Sequence, residues 1–394
     1  MNGGTMYSNS KVFAAACAGM LLFGMAMLSL GTVNTFLAQK FLLDQLSVGS
    51  LAALLPFGIL AGSLVFGPVV DRLGYKLPLA VASLLLAAGL QMIASAASFL
   101  PVQAAFFVIG LGGGILNGGT NALVADISGE NRGARLALLG VFFGIGALGM
   151  PALTGLFLRS ASHSAIITGF SAAILIPVVY MLAIQFPVPK QNQGFPIAKG
   201  LALVRDKVLL LLSMILFFES AAEGLVNNWS PAYLQKTGGL GPDSSLFMLT
   251  VLAASLTAAR LVLGWALKRM RSQRIVILCF ALAMAGIFLL FLPTNTAVTV
   301  AAMILIGFGF SAAFPVVLAY IGELFPALSG TAFGIALVIA LTGNTLVNYA
   351  LGAVAQTWGI VVFPVYLFAV FVCLGIFIFL GLRAYSKRTS KTGD

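Results

Sequence analysis

Apolar runs of about 18 residues or more, separated by short polar stretches, recur along the whole chain of 394 residues. Such a run is long enough for a helix to cross the hydrocarbon core of a bilayer, and soluble proteins do not repeat it so often. The pattern therefore predicts an all-α integral membrane protein. We place its twelve transmembrane helices at 12–38, 46–69, 77–99, 101–127, 134–158, 164–186, 208–234, 244–267, 275–292, 296–321, 330–353 and 360–382.

Composition and charge agree with a membrane protein. Hydrophobic residues make up 60% of the chain and charged residues 8%, whereas soluble proteins carry about 25% charged residues. Of the 21 Lys and Arg residues, 17 fall on one predicted membrane face, and the other face has only Lys40, Arg159 and Lys236. Because cytoplasmic loops are enriched in Lys and Arg, the distribution predicts that both termini are cytoplasmic. We place the protein in a plasma membrane, namely a bacterial inner membrane. The concentration of Lys and Arg on one membrane face accounts for the net charge of +11, so no nucleic-acid partner is needed to explain it.

The chain divides into two similar halves. Its longest polar stretch, 187–207, contains three Pro residues and two Gly residues and predicts a cytoplasmic linker. Gly67-x-x-x-Asp71-Arg72 in the first half aligns with Gly264-x-x-x-Lys268-Arg269 in the second. We therefore predict two pseudo-symmetric six-helix bundles, at 1–187 and 208–394, joined by 188–207.

The loop after the second span resembles a family signature. Residues 67–76 read Gly-Pro-Val-Val-Asp-Arg-Leu-Gly-Tyr-Lys and resemble the G-x-x-x-D-R-x-G-R-K motif of the major facilitator superfamily, with Tyr75 where the motif usually has a base. Two further stretches are similar to the fucose-permease-like sugar porters: 110–123, and Ala222-Glu223-Gly224 with Trp229 and Tyr233. The resemblance implies the major facilitator fold and transport by alternating access.

The charges of this loop are suited to gating, that is, to holding the cytoplasmic side of the transport pathway closed. Asp71 can accept hydrogen bonds from an Arg of the next loop or, as the resemblance implies, from the helix that begins near 329–330. Such contacts exist only while the cytoplasmic side is closed, so they would favour one access state. The alternative is an ordinary charged loop. The gating set is Asp71, Arg72, Lys76, Arg132, Arg135 and Arg260.

Two acids lie deep in the seventh span. Glu219 and Glu223 are four residues apart and share one helix face. Counted from Lys207, they lie roughly 18 and 24 Å into a hydrocarbon layer of about 30 Å. Buried and close together, they favour proton binding near neutral pH, so we predict that they carry the coupling proton. The alternatives are binding of a cationic or polyol substrate and a structural salt bridge to Arg260, the base within the eighth span.

Amide and aromatic residues in the spans that line the pathway of the resembled family are candidates for substrate binding. Amides donate and accept hydrogen bonds, which suits hydroxyl-rich ligands, and aromatic faces suit a sugar ring. Alternatively, the Asn residues hold helices together and Trp229 is an interfacial anchor. The substrate-binding set is Asn34, Asn117, Asn121, Asn227, Asn228, Trp229, Phe310, Phe314, Asn344 and Asn348.

No cofactor, metal site or enzyme active site is indicated. Cys17, Cys279 and Cys373 lie in separate apolar runs, and no nucleophile, His and acid constellation appears. The sequence predicts a monomeric secondary transporter that imports a small polar solute, such as a sugar or polyol, with H⁺. The alternatives are a proton-driven exporter of hydrophobic or cationic compounds and a membrane protein that binds a ligand or partner without transporting it.

Overall fold

The computed structural model describes residues 7–128, 132–187, 203–292, 295–325 and 329–391. Within these ranges the chain is helical and contains no strand. Twelve helical segments of the described part, the tenth of them Thr296–Leu324, are long and apolar enough to cross a membrane, as predicted, so this is a multi-pass membrane protein. The chain folds into two compact units: 1–43 with 50–194, and 44–49 with 195–394. The predicted linker falls largely on 188–202, outside the described residues.

The first unit is built from long helices with α1 at its centre. Helix α1 packs against α4 and α5, and α3 packs against α4 and α6. Nineteen residues of α1 are buried, which explains why it is apolar around its whole circumference. The helices are α1 (Asn9–Phe41), α2 (Gln45–Leu73), α3 (Lys76–Ser95), α4 (Phe99–Ile127), α5 (Arg132–Phe157) and α6 (His163–Ala183).

In the second unit, α7 takes the central place. It packs against α8, α11, α12 and α13, and α10 packs against α8 and α9. The helices are α7 (Lys207–Lys236), α8 (Pro242–Arg269), α9 (Ser272–Leu289), α10 (Thr296–Gly309), α11 (Ala313–Leu324), α12 (Ser329–Trp358) and α13 (Phe363–Lys391), with a 3₁₀ turn at Ile360–Val362. Helix α13 continues nine residues beyond the predicted end of the twelfth span.

The tenth span differs from the single helix predicted at 296–321. It is broken between α10 and α11, at Phe310, Ser311 and Ala312. Pro315 is the physical reason, because it has no N–H to donate to the carbonyl of Ser311 and its ring clashes with that carbonyl in a continuous helix. At the break, the Ser311 N–H bonds to the carbonyl oxygen of Phe308, three residues back, at 3.3 Å. A span that is broken inside the membrane is tolerated only where protein or a cavity surrounds it.

Small residues bring α1 and α5 into close contact. A Cβ added to Gly146 would collide with the backbone carbonyl of Leu21, whereas a Cβ added to Gly149 would meet nothing within 4 Å. Both glycines belong to the glycine-rich fifth span, and only the first lies at this contact. Glycine at such positions lets two backbones approach.

We expect Gly146→Ala to destabilise the protein by about 1–3 kcal/mol, because the extra methyl group forces α1 and α5 apart. Gly149→Ala is the matched control and should leave the free energy of unfolding nearly unchanged or slightly raised. Unfolding of both variants in mixed micelles measures the difference. Equal stability of the two variants would contradict the close contact.

Candidate functional site

A charged residue fixes the start of α7. The Asp206 carboxylate caps the helix by accepting hydrogen bonds from the backbone N–H groups of Val208 and Leu209, at 2.9 and 3.0 Å, and from the Arg388 guanidinium at 2.7 Å. Partial burial pushes the pKa of Asp206 upward, but the Leu209 amide and the Arg388 charge outweigh it, so the pKa lies below its ordinary value. The carboxylate stays ionised and fixes the position of α7 in the second unit.

Halfway along α7, an acidic pair lies inside the second unit. Glu219 is only 2% exposed, and its Oε1 atom has no hydrogen-bond partner among the described residues. Glu223 is half-buried, and Arg260 of α8 lies within electrostatic reach of both carboxyl groups. Glu219 therefore points away from lipid and into the protein.

The break in the tenth span adds polar groups on the same side. Cys279 of α9 lies within electrostatic reach of Glu219, and its Sγ is 3.7 Å from Ser311 Oγ at the break. Because the Arg260 guanidinium is always charged, Glu219, Glu223 and Arg260 together are neutral when the two carboxyl groups share one proton. Losing that proton would leave one net negative charge in a buried site, so the arrangement can bind and release a proton.

A chain of amides joins α7 to α12. The Asn344 side chain donates to Ser220 O at 2.9 Å, and the Asn348 side chain donates to Asn344 O at 2.9 Å and to its Oδ1 at 3.0 Å. Asn348 Oδ1 in turn accepts from the Asn228 side chain at 3.3 Å and from Trp229 Nε1 at 3.2 Å. The network begins one residue from Glu219.

Gly224 of α7 allows this network to form. A Cβ at this position would lie 2.7 Å from Asn348 Nδ2 and still closer to Asn344. Asn348 uses both its donor and its acceptor groups within the protein, and Trp229 is fully buried with its one N–H bonded. Hydrogen bonds of this kind hold two helices together. This structural role is the alternative to substrate binding that the sequence allowed for these residues. Their predicted role in substrate binding stays a prediction.

The other predicted substrate residues lie in both units. In the first, Asn34 of α1 is 1% exposed, and Asn117 and Asn121 of α4 are half-buried. The Asn121 side chain donates to Asn117 O at 2.9 Å and to its Oδ1 at 3.1 Å, so the two amides share a face as predicted. In the second unit, Asn227 and Phe310 are buried, and Phe314 is half-buried.

The loop motif joins α2 to α3 through a tight turn. Gly74 has a φ of 71°, a conformation that favours glycine, and its N–H bonds to Val70 O at 2.8 Å. The side chains of Asp71, Arg72 and Arg132 lie outside the described ones, and Lys76 is half-buried at the start of α3. Their gating role therefore stays a prediction.

The specific partners of two residues, Tyr75 of this loop and Arg135 of α5, were not predicted from the sequence. Tyr75 OH donates to Asp126 Oδ2 at the end of α4, at 2.7 Å, so the residue that departs from the family motif is tied to an acid. The Arg135 guanidinium lies over the Phe13 ring at 5.3 Å, and its Nη1 is buried without a hydrogen-bond partner among the described residues. The departure at Tyr75 was the sequence signal that could have prompted a search for such a partner.

Among the described residues, no group of three or more His, Cys, Asp or Glu side chains could hold a metal ion.

Sequence and structural comparisons identify the family. The profile of the Major Facilitator Superfamily matches residues 15–346. An uncharacterized MFS-type transporter of Bacillus subtilis (strain 168), YfkL, is 24% identical over 354 residues, covering 86% of this chain and 87% of that protein. A nitrite extrusion protein of the same organism is 26% identical over 274 residues, covering 66% of this chain and 67% of that protein.

Solved transporters share the fold. The nucleoside transporter NupG superposes with a TM-score of 0.77 at 17% identity, covering 96% of this chain and 99% of that chain. The D-xylose-proton symporter superposes with a TM-score of 0.75 at 15% identity, covering 93% of this chain and 97% of that chain. The twelve membrane-spanning segments found among the described residues and the profile match together show that this chain belongs to the major facilitator superfamily and is a membrane transporter rather than an enzyme.

Proposed function

We propose that this transporter moves a small, hydroxyl-rich solute such as a sugar or polyol together with protons, by alternating access. It acts as a monomer in a bacterial inner membrane, with both termini in the cytoplasm. The observation that carries proton coupling is the buried Glu219 carboxyl group, with an unpartnered Oε1 among the described residues and with Glu223 and Arg260 in electrostatic reach. An acid in such surroundings is a site for a proton rather than a surface charge.

The nature of the solute rests on the amides of the first unit and on the fold. Asn117 and Asn121 are half-buried and present donors and acceptors on one face of α4, which suits hydroxyl groups. Two of the solved transporters that share the fold are named for a nucleoside and for D-xylose, and both kinds of molecule are rich in hydroxyl groups. We therefore propose Asn34, Asn117 and Asn121 of the first unit as solute contacts.

Uptake into proteoliposomes tests the proposal. The panel contains labelled sugars, polyols, nucleosides and lipophilic cations, each with the lumen alkaline and with the lumen acidic. We expect a hydroxyl-rich solute to accumulate when the lumen is alkaline, because a symported solute follows the proton, whichever way the protein is inserted. Accumulation of lipophilic cations into an acidic lumen would instead indicate the proton-driven exporter and would refute the proposal.

A further inference from the structure

A groove between α9 and α13 lies apart from the acidic pair and the amide network. Its volume is about 750 Å³, within the range of about 300–1,000 Å³ that is typical of small-molecule sites. Apolar side chains form its walls, and the rim at one end is polar. Its lining includes Ile277, Phe280, Gly375, Phe379, Arg383 and Lys387.

Glycine shapes the floor of this groove. A Cβ on Gly375 would lie 2.8 Å from Phe280 Cζ, so the missing side chain lets the Phe280 ring lie against the backbone of α13. Ile277 and Phe379 remain 53% and 63% exposed on either side. These residues belong to transmembrane spans, so the open apolar groove faces acyl chains rather than water.

Charge is confined to one end of the groove. Arg383 and Lys387 are four residues apart on α13, so they lie on one face, and both are exposed. Beside them, the Gln273 side chain donates to Ser386 Oγ at 2.9 Å and bridges α9 to α13. From Gly375 to Lys387 the groove runs roughly 18 Å along the helix, comparable to one leaflet of a hydrocarbon layer about 30 Å thick.

We propose that this groove binds one anionic phospholipid of the leaflet that the distribution of Lys and Arg predicts to be cytoplasmic. The acyl chains lie along Ile277, Phe280 and Phe379, and the phosphate lies between Arg383 and Lys387. Two positive charges at headgroup depth complement a net negative headgroup, whereas a zwitterionic headgroup gains less from them. The apolar length and the charged end together distinguish this site from a generally basic surface.

Native mass spectrometry of the detergent-solubilised protein tests this proposal. Dioleoyl phosphatidylglycerol and dioleoyl phosphatidylcholine are titrated separately, and the affinity of the first bound lipid is measured. We expect phosphatidylglycerol to bind more tightly, and Arg383→Gln/Lys387→Gln to weaken its binding about 20-fold while changing phosphatidylcholine binding little. Arg205→Gln removes an exposed charge on the same predicted face, outside the groove, and should have no effect.

A second pair of variants tests the apolar part. Ile277→Trp fills the groove and should weaken phosphatidylglycerol binding, whereas Ile376→Trp, at a 52% exposed position of α13 that does not line the groove, should not. Equal affinity of the two lipids for the unaltered protein would overturn the proposal. Unchanged phosphatidylglycerol binding by the double charge variant or by Ile277→Trp would also overturn it.

Discussion

Glu219→Gln should abolish solute accumulation that is driven by a pH gradient. With one proton per solute, a gradient of about two pH units supports accumulation of about 100-fold, because each unit is worth a factor of ten. Gln has nearly the shape of a protonated Glu but cannot release a proton. We therefore expect the variant to equilibrate the solute without concentrating it, while exchange of labelled for unlabelled solute continues.

Glu323→Gln is the matched control for this result. Glu323 lies near the end of α11 and accepts a hydrogen bond from Tyr385 OH, away from the acidic pair. The same chemical change at this position should leave the accumulation ratio close to that of the unaltered protein. Full accumulation by Glu219→Gln would remove Glu219 from the coupling step, and loss in both variants would show that the effect is not specific to the pair.

Arg260→Gln should destabilise the protein by about 3–5 kcal/mol at neutral pH. Removing one partner from a buried charge cluster leaves the remaining charge without compensation, and this costs more than losing a surface ion pair. The loss should be smaller at low pH, because protonation then discharges the carboxyl groups. Unfolding in mixed micelles at several pH values measures both effects.

Two variants make this result specific to the cluster. Arg269 lies at the exposed end of α8 with its guanidinium over the Trp265 ring, 4.4 Å from the centroid, so Arg269→Gln should cost no more than about 1 kcal/mol. The double variant Arg260→Gln/Glu223→Gln removes the positive charge together with one acid of the pair, so the remaining carboxyl group can keep the proton, and it should regain much of the lost stability. Additive losses in the double variant would mean that the two side chains do not interact.

The sequence predicted the number and the approximate limits of the spans because each needs a long apolar run. The seventh span, for example, was predicted to begin at residue 208, and α7 begins at Lys207. The break in the tenth span was missed because the apolar run continues on both sides of it and is interrupted only by Ser311. Its strongest local sign is Pro315, and proline within a transmembrane helix can equally produce a kink.

Part of the candidate site was predictable because residues four apart share a helix face. Spacing of four residues correctly placed Asn117 with Asn121, and Asn344 with Asn348, on shared helix faces. Spacing along one helix does not reveal which helix lies opposite, so the hydrogen bonds that Asn344 donates to Ser220 and that Asn348 accepts from Trp229 could not be derived. For the same reason, an intramembrane acid was recognisable from the sequence, but its neighbour Cys279 in α9 was not.

Proton movement caused by the solute itself tests the coupling site most directly. In lightly buffered proteoliposomes without any gradient, adding solute outside should make the external medium alkaline, with about one proton entering per solute. The double variant Glu219→Gln/Glu223→Gln should show no such change while still exchanging labelled solute. The same alkalinisation in that variant, or none in the unaltered protein, would contradict proton coupling through the acidic pair of α7.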